Sequence, residues 1–216
     1  MYKKVIGLTS GTSMDGIDAA FLKTDGLGYF EAGKAITVPY TDDFRKKLSE
    51  VVFSGVVSKT IEELITVLHA EVINQLLAKT NSTSNEIDLI GFPGHTIYHN
   101  PAKRETLQIG DGKLLAKLTG VDVVCDFRSN DVKHGGQGAP LVPLFHQAIA
   151  SKLSKPLAIL NLGGVANVTW LGHQDKLIAF DTGPGNALLD DLMAFRLEKK
   201  QDTGGNLALT GNVDQS

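Results

Sequence analysis

A short apolar strand, a loop of glycine and hydroxyl residues, and two further strands follow one another in that order twice along this chain. In the first copy, residues 4–8 read as a strand, Thr9-Ser10-Gly11-Thr12-Ser13-Met14-Asp15-Gly16 as the loop and residues 17–23 as a second strand. The turn at Asp25-Gly26 leads to a third strand, about 29–38, ended by Pro39. In the second copy, strands at 157–162 and 168–171 flank the loop Gly163-Gly164-Val165-Ala166-Asn167; after a turn at 172–175, a strand at 177–180 precedes a helix from near Asn186. Two such meanders predict two similar subdomains, residues 1–131 and 132–216, with their loops facing one cleft. The chain has 23 glycines, gathered at strand ends, so the loops are lined by backbone rather than by bulky side chains.

Between the copies the periodicity changes. Phe44, Leu48 and Val51 recur at helical spacing, and Ile61, Leu64, Ile65, Leu68, Val72 and Leu76 form a longer stripe. Thr60 with Glu63 three residues later predicts a capping box at the start of the second helix. Further on, a strand at 87–91, hairpin material at 102–109, a helix at 111–118 and a strand at 121–125 complete an interleaved pattern, and the class is α/β.

Charge excludes one set of partners. Lys and Arg number 21 against 24 Asp and Glu, a net charge of −3 without a long single-sign run, so the footprint of a nucleic-acid binder is absent. No apolar stretch reaches the roughly 18 residues of a membrane span, and the N-terminal apolar run is too short for a signal peptide. The expectation is a cytoplasmic chain that binds neither nucleic acid nor membrane. Its single cysteine, Cys125, cannot form an internal disulfide and, within the apolar run Val121-Asp122-Val123-Val124-Cys125, is expected to be a buried, inert thiol.

Three loops could carry chemistry. In 10–16, successive N–H groups and the hydroxyls of Ser10, Thr12 and Ser13 could surround phosphate oxygens; an ordinary hairpin loop is the alternative. The chain contains neither G-x-x-x-x-G-K-[ST] nor G-x-G-x-x-G, so a nucleotide would be held by another architecture. Loop 161–167 sits at the matching place in the second copy. In Asp181-Thr182-Gly183-Pro184-Gly185-Asn186, a carboxylate at a strand end could accept a proton from an attacking oxygen, or Asn186 could simply cap the next helix. His95 and His99 have the spacing of a helical zinc pair, but Pro93 and Pro101 argue against a helix, and on a strand the two would lie ~13 Å apart. With His134 they are read as exposed or partly buried loop histidines, or as cleft groups that hydrogen-bond a polar substrate. Asp126, Arg128 and Asp131 are read as a salt-bridged loop closure, or as groups positioning substrate or Mg²⁺.

Loop 10–18, Thr106-Leu107-Gln108-Ile109-Gly110-Asp111, Asp126-Phe127-Arg128, the run from Gly135 to Pro143, loop 161–167 and loop 181–186 together resemble, in order, the anhydro-N-acetylmuramic acid kinase family. The resemblance implies an actin-like ATPase (ribonuclease H-like) fold and the ATP- and Mg²⁺-dependent conversion of 1,6-anhydro-N-acetylmuramic acid to N-acetylmuramic acid 6-phosphate in peptidoglycan recycling. By motif match, Asp181 is the catalytic base. Gly11, Thr12, Ser13, Met14, Asp15, Gly16, Ile17, Asp18, Gly163, Gly164 and Asn167 are the ATP contacts, and Thr96, Gly183 and Asn186 contact the sugar; metal ligands are left unassigned. Two departures stand out. Pro93 occupies a place where the family usually has histidine, removing a backbone donor. Family members also continue past the point where this sequence stops, which predicts an incomplete second subdomain; besides the sugar, the expected partner is a second copy of the chain (a homodimer), as the resemblance implies, or a complementing C-terminal half. The alternative function is an inactive or split fragment acting as a nucleotide-binding or interaction module.

Overall fold

The computed structural model describes residues 1–11 and 13–213, which divide into two compact units, 1–141 and 142–216. In the first unit, β1 (Lys3–Thr9), β2 (Gly16–Thr24) and β3 (Phe30–Pro39) form an antiparallel meander. Helices α1 (Asp42–Ser54) and α2 (Lys59–Thr80) follow, then β4 (Leu89–Phe92), the antiparallel hairpin β5 (His95–Asn100) and β6 (Glu105–Ile109), α3 (Gly112–Thr119), β7 (Val123–Cys125) and α4 (Ser129–Lys133). The sheet order is β3-β2-β1-β4-β7, with β4 parallel to both β1 and β7.

Alternation explains which strand faces are buried. Ile6 and Leu8 of β1 and Ile17 and Ala19 of β2 point into the core with Ile90 and Phe92 of β4, against Val72, Ile73 and Leu76 of α2 and Leu115 of α3. Each large aliphatic side chain fully buried this way contributes about 1.5–3 kcal/mol. A second cluster joins Phe44 and Leu48 of α1, Ile61 and Ile65 of α2, and Ile97 and Ile109 of the hairpin. It seats the hairpin on the two helices.

The helix stripes face the core as expected except at Leu64, which is exposed, and the start of α2 also differs. Its cap is Ser58, whose side chain accepts from the Ile61 N–H, while Glu63 pairs instead with Lys59 at 3.6 Å on the exposed face. Thr60 already lies inside the first turn. A further correction concerns Cys125, which is exposed at the end of β7. It shares a sheet face with the half-buried Val123, but it stands at the end of a three-residue edge strand, where the core no longer covers it.

The division between units lies beyond the 131/132 boundary read from the sequence. Val132 is buried in the first unit, and the Asp131 carboxylate accepts from the Gly138 N–H at 2.7 Å, so α4 and the glycine turn after it belong there. The second unit contains α5 (Val142–Ile149), the antiparallel meander β8 (Leu157–Leu162), β9 (Val165–Leu171) and β10 (Leu177–Pro184), and α6 (Ala187–Leu197). A strand, a glycine turn and two further strands thus open the sheet of each unit. Two strand ends differ from the reading above: β9 begins at Val165, leaving only Gly163-Gly164 as the turn, and β10 continues through Asp181 to Pro184. β10 is an edge strand, where proline costs no ladder bond. Among the described residues no helix is long and apolar enough to cross a membrane.

Candidate active site

The first loop is pinned at its base and open at its tip. Ser10 is buried; its Oγ lies 2.6 Å from the Tyr40 hydroxyl and 2.8 Å from His95 Nδ1. The Tyr40 N–H donates to the Asp15 carbonyl at 3.0 Å, so the residue just after β3 holds both ends of the loop. Gly16 is required by packing: a Cβ there would stand 2.4 Å from the Val38 carbonyl oxygen. Burial pushes the Tyr40 hydroxyl up to about 12, the Asp15 charge reinforcing and the Ser10 hydrogen bond opposing, so it stays a donor at neutral pH.

At the tip, Gly11, Ser13 and Asp15 are exposed, with the Ser13 hydroxyl donating to Asp15 Oδ1 at 2.8 Å. Met14, half-buried at φ 52°, packs on the cluster of α1, α2 and the hairpin. The Ile17 side chain is 1% exposed and lies in the core, and its backbone pairs with Val38 of β3, so no side-chain atom of Ile17 is offered to a ligand. Asp18 is exposed on β2 and accepts from the Thr37 hydroxyl. Thr12 lies outside the described residues.

Beside this loop, the carboxyl ends of the parallel strands β4 and β7 open into a depression of about 250 Å³ lined in part by Pro93, Gly94, Gln108, Cys125 and Asp126. Crevices of this kind are the usual ligand sites of parallel sheets. Thr96, half-buried on β5, accepts from Gln108 Nε2 at 3.5 Å and is not part of that lining. His95 corrects the histidine reading: it is 0% exposed, and burial lowers its pKa, hydrogen bonding at Ser10 opposing. His99 Nδ1 lies 3.0 Å from the Thr106 hydroxyl, and His134 is exposed. Asp126 and Asp131 accept backbone N–H groups of Ser129 and Gly138, and no ion pair joins Arg128 to either among the described residues. The loop is closed by backbone donors, not by a salt bridge.

In the second unit, Asn161, Asn167 and Asp181 stand directly opposite one another across β8, β9 and β10 and share one face of the sheet. Asp181 is exposed, and no described residue bonds its carboxylate. The ladder shifts register between Asp181 and Gly183, where the Thr182 hydroxyl donates to the Ala166 carbonyl at 3.1 Å. Such a bulge bends the strand and re-aims the side chains beside it.

Beyond the bulge, the Gly185 and Asn186 N–H groups donate to the carbonyls of Gly164 and Gly163 at 2.9 and 2.7 Å, and Asn186 Nδ2 donates to the Leu162 carbonyl. A Cβ on Gly185 would stand 2.3 Å from the Gly163 oxygen, so only glycine permits this interlock. The Asn186 side chain therefore does not cap α6, although it holds the cap position. Gly163, Gly164, Asp181, Gly183 and Asn186 are brought to one end of one sheet. Among the described residues no group of three or more His, Cys, Asp or Glu could hold a metal ion by itself.

Three residues at or beside these sites carry no local sequence signal of their partners: Tyr40, Asn161 as part of the polar row, and His69. The burial of the last is legible, since it lies four residues after Ile65 and four before Ile73, inside the buried stripe of α2.

A family model described as anhydro-N-acetylmuramic acid kinase matches residues 3–216. The protein of that name from Paramagnetospirillum magneticum is 51% identical over 208 residues, covering 96% of this chain and 59% of its own length. Those of Rhodopseudomonas palustris and Rhodospirillum rubrum are 44% and 48% identical, over 100% and 97% of this chain and 62% and 56% of theirs. The chain thus spans less than two thirds of the length of these relatives. Among solved structures, the Ppx/GppA phosphatase of Aquifex aeolicus aligns over 88% of this chain and 55% of its own at 11% identity, with a TM-score of 0.44, too low a likeness to carry an argument.

Proposed function

The chain belongs to the anhydro-N-acetylmuramic acid kinase family, and from that premise we propose that it opens and phosphorylates 1,6-anhydro-N-acetylmuramic acid with ATP, in the cytoplasm, as a step of peptidoglycan recycling. In this reaction water attacks the anomeric carbon and gives a proton to a base. The bond from that carbon to O6 breaks, and O6 takes the γ-phosphoryl group as ADP departs. The products are N-acetylmuramic acid 6-phosphate and ADP, and no covalent enzyme intermediate is needed.

Asp181 is the base. The observation that carries this assignment is its exposed, unbonded carboxylate beside a bulge, in register with Asn167 and next to the interlocked Gly163-Gly164 turn. A carboxylate already committed to a partner would be a poor proton acceptor. Gly183 and Asn186, on the same interlock, contact the sugar, and Thr96 in the first unit does so as well.

The ATP phosphates are met by the N–H groups and hydroxyls of Gly11 to Asp18 and by Gly163, Gly164 and Asn167. Without a phosphate-loop lysine, charge compensation falls to backbone donors and to Mg²⁺, which offsets phosphate charge when bound. Mg²⁺ needs only one or two protein carboxylates besides phosphate and water oxygens, and the exposed Asp15 carboxylate suits it. A strand, glycine turn and two strands at the start of each unit support an actin-like ATPase fold.

The test is to incubate the chain with ATP, Mg²⁺ and the anhydro sugar. ADP and a 6-phosphorylated sugar should form together, and Asp181→Asn should lower the rate at least about 100-fold with its circular dichroism unchanged. Equal rates in both proteins would remove Asp181 from the role.

A further inference from the structure

Ser10 stands where β1 gives way to the first loop, and its hydroxyl has partners on two sides, the Tyr40 hydroxyl at 2.6 Å and His95 Nδ1 at 2.8 Å. Each partner belongs to a fixed element. Tyr40 follows β3, its ring lies against Phe44 of α1 with centroids 4.8 Å apart, and its N–H holds the far end of the loop at the Asp15 carbonyl. His95 opens β5 and is 0% exposed. The Gly94 backbone before it, at φ 70°, lies so tightly on β6 that a Cβ there would stand 2.6 Å from the Ile109 carbonyl oxygen.

Two links therefore join the loop to the hairpin of β5 and β6. The polar one runs from Tyr40 through Ser10 to His95. The apolar one is Met14 near the loop tip, which with the Tyr40 ring packs on the cluster that contains Ile97 and Ile109. Successive side chains of a strand point to opposite faces, so with His95 turned inward to Ser10, the half-buried Thr96 is turned the other way. The residue that anchors the loop and the residue assigned to the sugar are thus neighbours on one strand.

We propose that Tyr40, Ser10 and His95 form a bracket that holds the first loop against the β5–β6 hairpin, so that the ATP contacts of the loop and the sugar contact at Thr96 are set in place together. All three are positioning residues. Ser10, 8% exposed and bonded on two sides, is the attachment point, and the phosphates are met by the residues beyond it. The bracket acts through geometry fixed before any ligand arrives, which lowers the ordering cost of binding. Its bearing on ATP and sugar rests on the function proposed above, whereas amide exchange of the free protein reads the bracket without either ligand.

Tyr40→Phe removes one hydroxyl and keeps the ring and the backbone N–H, while Ser10→Ala removes both ties. The reporters are the Met14 and Tyr40 amides, which donate to the Gly11 and Asp15 carbonyls within the loop. Their exchange in the free protein should rise about fivefold in Tyr40→Phe and about tenfold in Ser10→Ala, with the amides of α3 within about twofold of the parent. In turnover, Ser10→Ala should raise KM for ATP and for the anhydro sugar about tenfold each with kcat within about threefold. Tyr40→Phe leaves Ser10 on His95 and should raise KM for ATP alone. A fold weakened in general would instead lower kcat, through the active fraction, at unchanged KM. Exchange within about twofold of the parent in both variants would overturn the bracket, and faster exchange with both KM values unchanged would overturn its bearing on the ligands. A parent that turns over no anhydro sugar would overturn the proposed function and leave exchange to decide the bracket. If Ser10→Ala does not fold, Tyr40→Phe decides alone.

Discussion

Burial holds the His69 ring down to about 4 from its ordinary 6.5, with the charge of His95 reinforcing and the bond to Ile65 opposing. At pH 7 the ring is neutral whether the chain is folded or not. Below about 6.5 the unfolded chain takes up a proton that the folded one refuses until about pH 4, so stability falls as pH falls through that window. The loss attributable to this ring is about 3 kcal/mol by pH 4. Urea unfolding at pH 7 and pH 4.5 should show it, and His69→Leu should flatten the dependence. A parent whose midpoint is unchanged between those pH values would contradict the assignment. At this scale the sequence revealed chemistry but not partnership. Ser10 is recognisable as a loop hydroxyl, yet Tyr40 and His95 lie 30 and 85 residues away, and no local pattern links them. Asp181 draws attention in the sequence because a carboxylate next to Gly-Pro-Gly is a local signal, whereas its alignment with Asn161 and Asn167 across the sheet depends on register.

Elements were the most legible level, since periodicity is a local property and buried stripes obey it. Their ends were less so. The capping pattern of Thr60 and Glu63 places the start of α2 two residues late, because Ser58 makes the bond. Ser58→Ala should therefore cost about 1 kcal/mol and Thr60→Ala only a few tenths, measured by urea unfolding; the reverse order would restore the capping box. Glycine and proline usually end strands, so the sequence pattern stops β10 early, but a bulge at Thr182 and an edge position accommodate both. Gly185→Ala places a methyl against the Gly163 carbonyl, and the turn must open to admit it. Such overpacking costs about 1–3 kcal/mol and should also raise amide exchange at Asn186. An Ala variant as stable as the parent would mean that the interlock is loose.

For the molecule, the α/β class and the repeated meander were visible in the sequence, whereas the division at 141/142 depended on side chains reaching back from a loop. In the second unit Leu160, Leu162, Ile178 and Phe180 lie on one sheet face and are each more than 40% exposed. Contiguous apolar surface of this kind binds hydrophobic dyes and promotes association. Leu160→Thr with Phe180→Thr should lower dye fluorescence and raise the concentration at which the chain stays monodisperse in light scattering. No change in either would show the face to be covered. The proposed reaction itself is best tested by running it in H₂¹⁸O with ATP, Mg²⁺ and the anhydro sugar. The account predicts one ¹⁸O atom on the anomeric carbon of the product, none in its phosphate, and loss of that labelled product in Asp181→Asn. Label in phosphate, or an unlabelled phosphosugar, would contradict it.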